Sequence, residues 1–200
     1  TIVSIVNVPE SAIARQSDAV LLTRAGPEIG VVSTKAFTAQ LTILALLALD
    51  AGHKRGILNQ QAFEEMLFGL RFLPALCEAA LTKEAQIKTL AQTLINARDV
   101  LFLGRGTNFP LALEGALKLK EITYIPSEGY AAGEMKHGPI ALLDKNVPVI
   151  VLAPFDDLFK TTASDIQEVI ARGAPVIVMT DTKGEKHLGP LGVDYLVLPQ

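Results

Sequence analysis

At 200 residues, 50% of them hydrophobic and 20% charged, the chain can bury a core without disulfide or metal and is too apolar to be disordered. Its formal charge of −3 leaves no global basic field for nucleic acid or an anionic membrane. The single cysteine, Cys77, excludes an internal disulfide and fits a cytoplasmic, reducing setting, while His53, His137 and His187 are too dispersed for a zinc site.

The chain opens on Ile2, Val3, Ile5, Val6 and Val8, a near-continuous apolar run that reads as a parallel strand covered on both faces. No basic segment or small-residue cleavage pattern marks a signal peptide there. A polar connection, residues 9–18, leads to a second short strand at 19–22. Residues 25–30 form a Gly/Pro-marked loop. Residues 34–51 predict a helix that is apolar nearly all round and hence buried, with Ser33 or Thr34 as its N-cap and Gly52 as its stop. The longest unbroken apolar stretch, residues 43–49, is far short of the roughly 20 residues of a bilayer span, so no membrane contact is expected.

Two amphipathic helices follow. Phe63, Met66, Leu67 and Leu70 recur at helical spacing up to Pro74, which should bend or end that helix. Ile87, Leu90, Ala91 and Leu94 repeat the pattern. Cys77 lies in apolar helical surroundings and reads as a buried packing residue.

Beyond residue 98 strands and helices alternate: strands at 99–104, 148–153, 176–180 and 195–198, helices at 110–122 and 157–171. This predicts an α/β fold, a parallel sheet with right-handed crossovers and helices on both faces. Three segments are expected: 1–62 as the later part of one α/β domain, 63–97 as a helical connection, and 98–200 as most of a second. A chain that opens inside a strand and stops just after one reads as a piece of a longer polypeptide.

Within the helix at 110–122, Ala112, Gly115, Ala116, Leu119 and Ile122 make a narrow face suited to close packing on a sheet. Glu114, Lys118 and Glu121 stack on another face. This ladder is either a solvated face with one Glu–Lys pair or a carboxylate base, Glu121, beside an ammonium that keeps it ionised. Residues 128–139 hold three glycines and a proline, which predicts a loop able to bring polar groups to a ligand. His137 in that loop is either a surface histidine or a proton-transferring imidazole. Gly104-Arg105-Gly106 follows a strand, but Phe109 stands where a third glycine is needed, so no dinucleotide cofactor is expected. The helix-start amides near Thr107 and Asn108 are left to meet a phosphate or hydroxyl.

Four segments, in the same order, resemble the glutamine–fructose-6-phosphate aminotransferase (isomerizing) family. They are residues 25–38 (AGPEIGVVSTKAFT), 102–106 (FLGRG), 112–121 (ALEGALKLKE) and 130–139 (YAAGEMKHGP). The resemblance runs essentially from end to end and implies two sugar-isomerase domains of flavodoxin-like type, the first represented only in part. It implies that Glu121 shuttles a proton, that Lys118 stands beside it, and that His137 promotes ring opening in a neighbouring subunit's site. Val31 and Ser33 are implied to line the sugar. Pro126, Ser127 and Met135 depart from the family's usual residues, none at a catalytic position. Such chemistry makes sense of the residue types, since isomerisation needs a base that reaches both C1 and C2, and ring opening needs an acid and base near neutrality.

The expected function is therefore the isomerase portion of an enzyme joining fructose 6-phosphate and glutamine-derived ammonia into glucosamine 6-phosphate. The expected assembly is a cytoplasmic homodimer without cofactor or metal, with a glutaminase domain in the parent chain. A sugar-phosphate-binding regulatory domain and a glutaminase-free sugar-phosphate isomerase or deglycase are the alternatives. The Glu114–Lys118–Glu121 ladder with His137 favours an enzyme over a sensor.

Overall fold

The computed structural model describes residues 1–199 and separates into two compact units, Thr1–Ala75 and the chain from Leu76 on. In the first unit β1 (Val3–Val6) and β2 (Ala19–Leu22) pair in parallel, Val3 opposite Ala19 and Val6 opposite Leu22. The connection between them, expected to be irregular, contains α1 (Ala12–Arg15), one turn capped by the Ser11 hydroxyl. Of β1 only Ser4 and Val6 are buried, not both faces, because the two-stranded sheet is covered on one side among the described residues.

Next come α2 (Thr34–Lys54), α3 (Gln60–Arg71) and α4 (Leu73–Leu81). Asn59 caps α3 through the Ala62 amide at 2.8 Å, and Pro74 enters as the second residue of α4, the break expected of it. Burial of α2 was overestimated from its composition: only Ala36 is buried, and Leu41, Leu44 and Leu47 are exposed. Its apolar circumference is wider than the neighbours available to cover it. What remains lines one groove against β2, at Leu22 and Leu46, and another against α3, at Leu49 and Leu70. By length and composition alone α2 could also cross a membrane. Cys77 is exposed rather than buried, as no residue of α4 is buried.

The second unit is a doubly wound sheet. After α5 (Glu84–Gln92) come β3 (Val100–Gly104), α6 (Asn108–Thr123), β4 (Ser127–Ala131), β5 (Val149–Leu152), α7 (Phe159–Ala171), β6 (Val176–Thr180), α8 (Thr182–Leu188) and β7 (Asp194–Val197). All five strands are parallel in the order β4-β3-β5-β6-β7, the flavodoxin-like arrangement. Alternate residues of β3 define the two faces. Val100 and Phe102 pack with Ala112 and Ala116 of α6. Leu101 and Leu103 pack with Phe159, Ile166 and Val169 of α7.

In this unit two elements were not legible as regular structure. The glycine-rich stretch expected to be loop begins with β4, because Gly129 serves packing: a Cβ there would stand 2.7 Å from the Leu113 backbone of α6. Two 3-10 turns, Ala132–His137 and Pro139–Leu142, then carry the chain to β5. The other missed element, α8, lacks apolar periodicity and owes its start to buried Asp181. That carboxylate accepts from the amides of Lys183 and Gly184 at 2.8 and 3.1 Å and of Phe155 at 2.6 Å. Burial alone would raise its pKa, yet the three amides and the Lys183 charge together hold it below the usual aspartate range.

A carboxylate depressed in the folded state stabilises above its unfolded pKa of about 3.9, and that contribution is lost as pH falls through the lower folded value. Asp181→Asn should cost about 2 kcal/mol at neutral pH. Urea unfolding should find the gap closing below about pH 4; a gap independent of pH would remove the charge from this account.

Candidate active site

Helix α6 is drawn tightly onto the sheet by small residues. A Cβ on Gly115 would meet the Phe102 ring at 2.9 Å, and one on Gly104 would meet the Asn108 carbonyl at 2.1 Å. Ala112 and Ala116 are buried, as the expected narrow face requires, whereas Ile122 is 62% exposed where the helix runs out beyond the sheet. The outer faces of α6 are therefore fixed relative to β3 and β4. Lys118 forms an ion pair with Glu114 one turn earlier, both side chains largely covered at 22% and 23% exposure. Glu121 follows on the next turn and is exposed. Of the ladder read from sequence the structure shows the Glu114–Lys118 pair, with Glu121 three residues further along the same helix.

His137 ends the first 3-10 turn with its side chain 73% exposed and Nδ1 3.0 Å from Glu134 Oε2. The turn is anchored by Ala132 and Met135, at 1% and 0% exposure, in the core on the Leu101/Leu103 face. Because α6 lies on the Val100/Phe102 face, the sheet stands between Glu121 and His137. Within one copy Glu114 and Lys118 meet on α6, and His137 is carried by a turn packed on the other face of the sheet.

Val31 and Ser33 belong to the first unit, in the loop that leads into α2. Val31 is 88% exposed. Ser33 occupies the N-cap position of α2, but its side chain makes no capping bond, and its φ of 49° and ψ of 49° are left-handed, a conformation that costs energy in a residue with a Cβ. The capping role goes instead to Glu28, which accepts from the Ala36 amide at 2.8 Å, while Lys35 donates to the Pro27 carbonyl at 2.7 Å. Asn7, just past β1, ties the start of the loop: its Oδ1 accepts from Thr23 Oγ1 and the Ala25 amide, both at 2.9 Å, and its Nδ2 donates to Gly26 O at 2.6 Å. This leaves the Ser33 hydroxyl at a helix N-terminus, a place suited to an anion or a hydroxyl. Neither Asn7 nor Glu28 stood out in the sequence. The one signal was a lone polar residue ending an apolar strand.

A cleft of about 430 Å³ opens at the carboxyl ends of the second sheet, lined by Phe102, Leu111, Leu152, Met179 and Leu198. Open sheets of this type bind ligands at that edge, yet none of Lys118, Glu121 and His137 lines it. Of its polar members, Thr180 donates to the Ala153 carbonyl at 2.6 Å and Asp181 accepts from backbone amides. Among the described residues no cluster of His, Cys, Asp and Glu could hold a metal ion.

Comparison with known proteins places these features. The chain is 57% identical over 197 residues to glutamine–fructose-6-phosphate aminotransferase (isomerizing) of Bradyrhizobium diazoefficiens, covering 98% of this chain and 32% of that protein. The chain thus spans about a third of the length of the curated relatives it matches. Among solved structures it is similar to the C-terminal domain of glucosamine-fructose-6-phosphate aminotransferase from Francisella tularensis, with TM-score 0.96 and 41% identity over 98% of this chain and 55% of that one. It is also similar to glucosamine-6-phosphate deaminase from Thermotoga maritima, with TM-score 0.67 and 27% identity over 88% of this chain and 51% of that one. The SIS domain model matches residues 1–50 and 93–186, which take in β1, β2 and most of α2 in the first unit and β3 to β6 in the second, and with that match the chain belongs to the SIS domain family.

Proposed function

We propose that this chain is the isomerising portion of a glutamine–fructose-6-phosphate aminotransferase, taking fructose 6-phosphate and glutamine-derived ammonia to glucosamine 6-phosphate in the cytoplasm. The observation that carries the reading is 57% identity, spread over 98% of the chain, to a relative of that name. The geometry of α6 supports it. Glu121 is the base that moves a proton between C1 and C2, and Lys118, paired with Glu114, stands one turn before it on the same helix. Val31 and Ser33 line the sugar, the Ser33 hydroxyl being left out of helix capping.

The functional unit in this reading is a homodimer, and His137 serves the Glu121 of the other copy. The support is the intervening sheet: His137 is presented on the face opposite α6, 73% exposed at the end of an anchored turn. A histidine that opens a sugar ring must lie within hydrogen-bond reach of it, and within one copy the turn that carries His137 packs on the face of the sheet opposite α6. The reading is tested by incubating the full-length protein with fructose 6-phosphate and glutamine and measuring glucosamine 6-phosphate. Formation of that product is expected, and its absence with active, folded protein would overturn the assignment.

A further inference from the structure

We infer that Arg105 is a positioning residue for His137, acting through the 3-10 turn that carries it; the inference rests on His137 being the ring-opening imidazole proposed above. Arg105 stands at the end of β3, between Gly104 and Gly106, and reaches over the face of the sheet opposite α6. Its Nη2 donates to Asp165 Oδ2 of α7 at 2.7 Å, and Asp165 is 5% exposed. Its Nη1 lies against Gly133, the second residue of the turn, where an added Cβ would stand 3.1 Å from that nitrogen and 3.6 Å from Cζ. One turn beyond Asp165 on α7, Glu168 pairs with Lys136 of the same 3-10 turn at 2.6 Å.

The turn thus packs at Gly133 against a guanidinium, and is held at Lys136 by a carboxylate and at Ala132 and Met135 by the core. His137 is the next residue, and its backbone direction is inherited from these four. A buried ion pair adds little net stability compared with apolar packing of the same volume. What Arg105 adds is geometry: a rigid planar fork joins α7 to a short turn whose remaining outward residues, Glu134 and His137, touch mainly each other and solvent. Sequence alone gave Arg105 a different context, as the middle of an incomplete dinucleotide motif.

The test is a double-mutant cycle in the full-length enzyme, reading sugar isomerisation with kcat and KM separated. Arg105→Gln should lower kcat by about tenfold and change KM by less than about twofold, since small misplacements of a proton-transfer group act on the transition state. In a His137→Ala background the same change should alter the residual rate by less than about twofold, because the group being positioned is gone. A full tenfold loss in both backgrounds would overturn the inference and leave Arg105 structural. If His137→Ala does not itself slow isomerisation, the failure lies in the reading of His137, and the inference falls with it. Should Arg105→Gln not fold, Arg105→Lys, which keeps the charge beside Asp165 and removes the planar fork, takes its place in the same cycle. Loss coupled to His137 supports positioning through the turn, and loss independent of His137 overturns it.

Discussion

Glu121→Gln in the full-length protein is expected to slow sugar isomerisation by about a hundred- to ten-thousandfold, the usual consequence of losing a positioned general base. Glutamine hydrolysis by the rest of the parent chain is expected to stay within about twofold, since the amide is nearly isosteric and Glu121 is exposed at the end of α6 rather than part of its packing. The same argument gives the change little effect on folding, so the loss would be chemical. KM for the sugar should move much less than kcat, because the carboxylate acts on the proton in transit rather than on the bound ground state. Steady-state kinetics with each half-reaction measured separately decides the matter. Near-normal isomerisation would reduce Glu121 to an outlying member of the Glu114–Lys118 surface ladder.

Mixing two inactive variants should restore activity. If His137 crosses to the other copy, a heterodimer of His137→Ala and Glu121→Gln chains holds one intact site, with Glu121 from the first chain and His137 from the second. A statistical mixture then recovers up to about a quarter of the parental activity. The sheet that separates the two residues within one copy makes the opposite result informative. Should subunit exchange be demonstrated by mass and no activity return, the histidine would have to act within its own chain, and its turn would have to leave the core that Ala132 and Met135 now occupy. Such a rearrangement would appear as altered protection of the Met135 and Lys136 amides when sugar phosphate binds.

Much of this protein was determined by local sequence. The alternation of strand and helix beyond residue 98 and the placement of β3, β5, β6 and β7 were legible within a residue or two, because near-continuous apolar runs bounded by Gly and Pro are what a covered parallel strand requires. The Glu114–Lys118 pair was likewise legible, being a consequence of helical periodicity alone. Elements whose residues serve a distant neighbour were not. The glycine of β4 is there for the backbone of α6, and α8 is initiated by an aspartate that also binds the Phe155 amide 26 residues earlier in the chain. The burial of α2 was overestimated for a related reason, since composition reports how apolar a helix is and not how many partners surround it.

Only the tertiary structure decided which side of the sheet each candidate group occupies. Glu121 and His137 are separated by sixteen residues in sequence, a spacing compatible with one site or with two. Two crossovers of opposite placement, α6 on the Val100/Phe102 face and the 3-10 turns on the Leu101/Leu103 face, set them apart. That outcome depends on which face of β3 each crossover packs against, a choice made by long-range burial and close backbone contact rather than by anything within either segment.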